Sequence, residues 1–263
     1  LASATCWGFV ASTVKRLTWE MDPYTISFLR VLIATLVVVP LVWRERRSFR
    51  GLKWFLPWVL IGALGRAGNY IIYNAGIVMV PSNASTITLP VQTVTTVLLA
   101  WVILKERLQG KWLGLLLSLS GLALLWWNGQ GWEVLTEPRY ALGNAMMFIS
   151  GIASAFHFMS QKVLTAKMSV SEALLPVFGW ATALTFPFAW LSGGFSRRYS
   201  LTTWVLAILL GVVLTGGSFI FLGEGYKRCS ATTGVIVTNS SIFITLLLSS
   251  WLLHENVGPI MIL

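Results

Sequence analysis

Hydroxyl, amide and imidazole side chains recur inside the long apolar runs of this sequence. In an apolar helix each of them costs free energy unless it faces a partner or a cavity, so their positions are candidates for binding chemistry. They are uncharged, and tryptophan, tyrosine and phenylalanine stand close to them. The candidate binding residues are Trp7, Asn69, Tyr73, Gln92, Trp101, His157, Phe158, Ser218 and Asn239.

The combination of aromatic faces with hydroxyls and amides favours a flat, amphipathic solute. A phosphate or a sugar nucleotide would call for clustered Lys or Arg instead. The candidate stacking faces are Trp7, Tyr73, Trp101 and Phe158, and the candidate polar anchors are His157, Gln92 and Asn239.

A structural interpretation of the same residues stays open. Ser and Thr in an apolar helix most often bond their own backbone. His157 lies near the middle of its run, where it is either a hydrogen-bonded packing residue or a contact to a ligand. Arg66 lies in the middle of another run, and a buried guanidinium there needs a carbonyl, a carboxylate or water. It meets either the carboxylate of a solute or a neighbouring helix.

Catalysis, metal binding and nucleic-acid binding find little support in these residues. An enzyme would need a nucleophile with its base, or paired aspartates, but the only aspartate is Asp22 in a loop and His157 alone makes no dyad. Cys6 and Cys229 stand far apart without metal-ligand spacing, so we predict no metal and no cofactor. The basic residues fall mainly between apolar runs, which argues against nucleic acid.

The elements that hold these residues are long apolar helices. The chain is 56% hydrophobic and only 11% charged, with a mean hydropathy of +0.75, which is too apolar for the surface of a soluble globule. A membrane-spanning helix needs roughly 20 apolar residues. Nine such runs and the start of a tenth, truncated one are present: 1–17, 24–43, 54–79, 84–104, 111–127, 141–165, 171–192, 202–226, 231–253 and 258 onward. The sequence predicts an all-α polytopic membrane protein of ten helices.

The positive charges between the runs predict an orientation. With the N-terminus inside, the inner connections contain 12 Lys and Arg and the outer ones contain 5. Because short cytoplasmic loops are enriched in these residues, we expect both termini in the cytoplasm.

Two of the runs end alike, because "LLAWVILKERL" places Glu106 after an apolar segment and "LLLSSWLLHENV" does the same with Glu255. The same 149-residue offset superposes Gly62 on Gly211, Gly68 on Gly217 and other pairs without a gap. The sequence therefore predicts two five-helix repeats, residues 1–128 and 141–263. Five is odd, so the second repeat enters the membrane inverted.

An inverted repeat favours transport by alternating access, because two similar halves can form inward-open and outward-open shapes of nearly equal energy. Duplication that merely enlarged a helical bundle is the alternative. Glu106 and Glu255 are expected at opposite membrane faces, each at the end of its helix and away from any solute.

An early "WGF", "FLRVLIA" in the second run and "LLAWVILKERL" at the end of the fourth resemble the drug/metabolite transporter superfamily, in its EamA-like branch. The segment "GNYIIYNAGIVMVPSNASTITLPVQTVTTVLLAWVILKERL" is similar to bacterial aromatic amino acid exporters of the YddG type. The resemblance implies a transporter in the bacterial inner membrane that exports small amphipathic metabolites, with aromatic amino acids as the expected substrates. Other metabolites or drugs are the alternative, and an intramembrane enzyme or a scaffold is a remote one.

The expected partners are a small-molecule substrate and the lipid bilayer, and a monomer is compatible with the sequence. Energy coupling stays open between a facilitator and proton antiport, because no acidic residue is convincingly placed in the middle of a run.

Overall fold

The computed structural model describes residues 1–45, 52–106 and 138–253, together with a few single positions between 113 and 121. These parts of the chain are helical and contain no strand. The α-helices are α1 (Ala2–Gly8), α2 (Val10–Leu17), α3 (Pro23–Glu45), α4 (Leu52–Ile77), α5 (Thr88–Leu104), α6 (Pro138–Thr165), α7 (Val170–Leu191), α8 (Leu201–Gly211), α9 (Ser218–Tyr226), α10 (Ala231–Thr238) and α11 (Ser241–Leu253).

Seven segments of the described chain are long and apolar enough to cross a membrane: Pro23–Glu45, Phe55–Ile77, Ala84–Leu104, Tyr140–Thr165, Val170–Leu191, Leu201–Tyr226 and Ala231–Leu252. The all-α class and the apolar spans are thus confirmed for the described residues, with bounds close to those expected. The run at 1–17 is divided into α1 and α2 at Phe9, so neither piece alone has the length of a span. The runs at 111–127 and from 258 onward lie outside the described residues, apart from single positions.

Several spans contain local irregularities. A π-helical turn, Val212–Gly217, joins α8 to α9, and a 3-10 turn, Ser82–Ile87, precedes α5. Pro90 lies in the first turn of α5, where a missing backbone N–H leaves no hydrogen bond unmade. Pro40 and Pro187 lie within α3 and α7. The irregular turns matter because the π-helical turn and the 3-10 turn both contribute residues to the interior described below.

Helices α4 and α6 pack closely and in opposite directions. A Cβ atom on Gly62 would lie 2.3 Å from Ser160 Oγ, and one on Gly65 would lie 2.6 Å from the carbonyl oxygen of Ala153. Glycine is needed at both positions because any side chain would push the two helices apart.

Helices α3 and α7 are also antiparallel. The ring of Tyr24 stacks on Phe188, the hydroxyls of Thr35 and Thr182 lie 3.1 Å apart, and Ser171 donates to Glu45 over 2.8 Å. The contacts therefore run from the start of one helix to the end of the other.

A third antiparallel pair joins α5 to α10. Thr93 donates to Asn239 Oδ1 over 2.9 Å, and Glu106, just after α5, accepts from Ala231 N and Thr232 Oγ1 at 3.0 and 2.8 Å. Glu106 therefore lies at the end of its helix, as expected, and its carboxylate binds the first turn of another helix. Glu255 lies outside the described residues.

Candidate functional site

A cavity opens between the helices at the centre of the described chain. The cavity volume is about 90 Å³, several times the roughly 10–15 Å³ that one water needs. Helices α1 to α6, α9 and α11 and the 3-10 turn line it. Its residues are Trp7, Val10, Ala11, Arg30, Arg66, Asn69, Tyr70, Tyr73, Ser85, Thr86, Thr88, Leu89, Gln92, Ser154, Phe158, Phe219, Ser241 and Thr245.

Two arginines line this cavity, and both stand over the ring of Tyr70. The guanidinium carbon of Arg30 lies 4.0 Å from the ring centroid and that of Arg66 lies 4.9 Å away. Arg66 also stands 4.2 Å from the centroid of Phe219. The electron-rich faces of these rings attract a cation, which offsets part of the cost of its burial.

Three aromatic rings form an apolar wall. Trp7 lies 5.4 Å from Phe158 and 5.1 Å from Phe219 between ring centroids, in tilted orientations. The indole Nε1–H of Trp7 donates to Ser218 Oγ over 2.8 Å, which fixes the orientation of the ring. The wall therefore offers aromatic edges and faces to a planar solute.

Amide groups form the polar side of the cavity. Asn69 accepts from Arg66 Nη1 over 3.1 Å and donates to the carbonyl oxygen of Ser150 over 3.0 Å. Gln92 accepts from Ser154 Oγ over 2.6 Å, whereas its Nε2 has no hydrogen-bond partner among the described residues. One amide donor thus remains available to a bound solute.

Five of the nine candidate residues come together in this cavity: Trp7, Asn69, Tyr73, Gln92 and Phe158. Trp101 does not line it, since it lies in the last turn of α5 with 51% of its surface exposed. Ser218 and Asn239 do not line it either: Ser218 accepts a hydrogen bond from Trp7, and Asn239 accepts one from Thr93.

His157 is fully buried in the packing between α4, α6 and α7, outside the cavity lining. Its Nδ1 lies 3.1 Å from the carbonyl oxygen of Gly62, and its ring is stacked 6.1 Å from that of Phe178. This placement favours the packing interpretation of His157 over contact with a ligand.

The sequence did not single out the pairing of Arg30 with Arg66, nor Phe219. Besides the uncharged candidates, the lining therefore includes two arginines, because α3 and α4 turn both onto the same tyrosine ring. An arginine inside the apolar segment "FLRVLIA" was the available signal for Arg30.

The acidic side chains of the described residues lie at helix ends and bind there. Glu20 accepts from Ser200 N at 3.1 Å and from Thr203 Oγ1 at 2.7 Å. These hydrogen bonds, from Thr203 first and then Ser200, hold the pKa of Glu20 below its ordinary value. The full set is Glu20, Asp22, Glu45, Glu106, Glu172 and Glu224, and none of the six lines the cavity. Within the described part of the chain, no group of His, Cys, Asp or Glu could hold a metal ion.

Apolar spans around a central cavity with aromatic and polar walls define the chain as a multi-pass membrane protein with an internal cavity. The model of the EamA-like transporter family matches residues 1–127 and 141–263. The chain belongs to this family.

Similar proteins include the uncharacterized inner membrane transporter YhbE of Escherichia coli K12, which is 27% identical over 254 residues, covering 92% of this chain and 77% of that protein. An uncharacterized transporter of Haemophilus influenzae is 22% identical over 184 residues, covering 68% and 59%. A crystal structure with 15% identity has a TM-score of 0.73 and covers 99% of this chain and 89% of its own, which shows the fold alone.

Proposed function

We propose that this chain exports aromatic amino acids across the inner membrane by alternating access. The observation that supports the substrate class is the cavity itself, which is lined both by aromatic rings and by amide and hydroxyl groups. The rings are those of Trp7, Tyr73, Phe158 and Phe219. An aromatic side chain would stack on the rings while its polar end meets the amides and arginines.

Alternating access rests on the proposed inverted repeat, with repeats at 1–128 and 141–263. Two lysines make equivalent contacts: Lys15 donates to the carbonyl oxygens of Ile77 and Val80 at 2.7 Å, and Lys162 donates to those of Tyr226 and Cys229 at 2.6 Å. The residues that supply the carbonyls are separated by the 149 residues of the repeat, Ile77 from Tyr226 and Val80 from Cys229. The two lysines are separated by two residues fewer. These contacts support a repeat with a small shift between its first and third helices.

The helix starts that follow these lysines are also equivalent. Asp22 accepts from the backbone N–H of Thr25 over 2.9 Å, and Ser169 accepts from that of Glu172 over 3.3 Å. Both side chains begin the next long helix, as N-caps do. The antiparallel pairs of α3 with α7 and α4 with α6 also agree with a second repeat that is inverted relative to the first.

A transport assay tests the substrate class. In proteoliposomes, Tyr73→Ala should weaken transport of phenylalanine and tryptophan about three- to tenfold, because stacking beyond area burial contributes about 0.5–1.5 kcal/mol per pair. Threonine, which has no ring, should be affected less. Trp43→Ala is the matched control, since Trp43 is 83% exposed on α3 and lies away from the cavity.

Equal losses for all three amino acids in Tyr73→Ala would contradict an aromatic site, because a folding defect depresses every substrate alike. Transport of other metabolites or drugs would then be the better proposal. A changed product would indicate an enzyme, and no flux of any solute would indicate a scaffold. Repeating the assay with and without an imposed pH gradient separates proton antiport from facilitated diffusion.

A further inference from the structure

Arg66 presents an unmatched hydrogen-bonding edge inside the protein. Its side chain is 3% exposed, and its Nη1 donates to Asn69, but Nε and Nη2 have no acceptor among the described residues. Buried donors of a charged group are costly to leave unpaired. The Nε and Nη2 edge of a guanidinium is a planar fork that matches the two oxygens of a carboxylate.

Arg30 adds a second positive charge to the same place. It is 4% exposed and its Nε donates to Thr215 Oγ1 over 2.8 Å, so the hydroxyl of the π-helical turn holds it in position. Both cations contact the ring of Tyr70 and so lie in the same part of the interior, where like charges in a low dielectric repel each other. An anion bound in the cavity that both line would offset that repulsion.

The counter-charge does not come from the described part of the chain. Its six carboxylates bind helix ends, as with Glu106 at the start of α10 and Glu224 in its pair with Lys227 at 2.8 Å. The cavity thus combines two cations with aromatic walls and with no carboxylate among its lining residues. Since no described residue neutralises the two cations, a negatively charged group of the solute is the proposed partner.

We infer that Arg66 and Arg30 form a carboxylate-binding subsite, and that the solutes are aromatic monocarboxylates whose amino group is not required for binding. This inference rests on the proposed function and adds which group of the solute the site recognises. The same lining that pairs a solute carboxylate offers no acidic residue to an ammonium group. An aromatic acid without the amine should therefore bind at least as well as the amino acid, and an aromatic amine without the acid should not bind.

Competition in proteoliposomes containing the full-length transporter tests whether the acid binds more tightly than the amine. The competitors of labelled phenylalanine are 3-phenylpropionate, which lacks the ammonium, and phenethylamine, which lacks the carboxylate. We expect 3-phenylpropionate to compete as strongly as phenylalanine or more strongly, and phenethylamine to be at least about tenfold weaker. Phenethylamine that competes as well as phenylalanine would overturn the carboxylate subsite, and so would inhibition by inorganic phosphate or chloride at the concentration of the organic acid.

A parallel series with labelled leucine, 4-methylpentanoate and isoamylamine separates the two proposals. If no aromatic compound is bound but the acid still exceeds the amine in the aliphatic series, the aromatic function fails and the carboxylate subsite stands. If the acid has no advantage in either series, the subsite fails.

Variants assign the effect to Arg66. Arg66→Gln should weaken 3-phenylpropionate about 10- to 100-fold, and Arg66→Lys should recover part of the affinity because it restores the charge without the planar fork. Arg228→Gln is the control, since Arg228 is an exposed arginine after α9, outside the cavity. Binding measured by thermal shift on folded protein keeps the comparison valid if Arg66→Gln lowers the yield. Equal affinity of Arg66→Gln and the control would overturn the subsite.

Discussion

Tyr70 organises the charged centre of the protein, because its ring lies under both guanidinium groups. Its side chain is among the largest that are fully buried. The two arginines would otherwise sit in an apolar interior with few acceptors. A single aromatic residue therefore stabilises two buried charges, and its ring matters more than its hydroxyl, which has no hydrogen-bond partner among the described residues.

Two substitutions of Tyr70 distinguish the contribution of its ring to stability from that of its hydroxyl. Tyr70→Leu should lower the free energy of unfolding by about 2–4 kcal/mol, since it removes two cation–π contacts and leaves a void. Tyr70→Phe keeps the ring and should cost less than about 1 kcal/mol. Thermal unfolding in detergent measures both, and equal losses would contradict the role of the ring.

Glu20 links the pH of the medium to stability. Because hydrogen bonds from Thr203 and Ser200 lower the pKa of this carboxylate from its ordinary 4.5, it stabilises the fold above that value. The contribution disappears as the pH falls through the lowered pKa of the folded state. In Glu20→Gln this part of the pH dependence should be absent. Unfolding midpoints of both proteins between about pH 6 and about pH 3.5 test the sign, and parallel curves would contradict it.

Close packing at the scale of helices depends on glycines in α4. Gly65 faces the backbone of α6, where an added Cβ would lie 2.6 Å from the carbonyl oxygen of Ala153 and 2.9 Å from the backbone nitrogen of His157. Gly68, one turn further along, has its nearest neighbour, Ala153 Cβ, at 3.8 Å. The regular spacing of these glycines in the sequence therefore conceals two different environments.

Alanine at each position tests this difference. Gly65→Ala should lower the free energy of unfolding by about 1–3 kcal/mol, because the backbone of α6 has to move. Gly68→Ala should be neutral or should raise it by up to about 1 kcal/mol, since alanine is the better helix former and contacts nothing too closely. Comparable losses in both variants would show that the distance between α4 and α6 is not limiting.

The whole molecule is predicted to cross the membrane with opposite orientations in its two repeats. Arg44 lies in the last turn of α3 and Arg228 follows α9, whereas Arg197 follows α7, and all three are exposed. The charge distribution places the first two inside and Arg197 outside. The antiparallel helix pairs agree with the opposite orientations of the two repeats, whereas the loop charges alone predict which side is cytoplasmic.

Thiol labelling tests this topology. In a background where Cys6 and Cys229 are replaced by alanine, a membrane-impermeant reagent applied to intact cells should label Arg197→Cys but not Arg44→Cys or Arg228→Cys. Permeabilised cells should label all three, which controls for accessibility. Labelling of Arg44→Cys and Arg228→Cys instead of Arg197→Cys in intact cells would contradict the orientation alone, whereas labelling of Arg44→Cys together with Arg197→Cys would contradict the inverted repeat.

The sequence by itself determined where the described helices span, because uninterrupted apolar runs of about 20 residues have few other stable structures. It also placed Glu106 at a helix end and identified Arg66 as a buried residue with two possible partners. What it could not determine is which side of each helix faces the interior. A helix that is apolar all round gives no stripe from which to infer a direction. Trp101 and Tyr73 were therefore equally good candidates for the binding site, although Trp101 faces outward and Tyr73 faces the cavity. Only the packing of α3 and α4 against α6 and α9 decided that Arg30, Arg66 and Tyr70 meet, because contacts between distant segments depend on helix rotation and crossing.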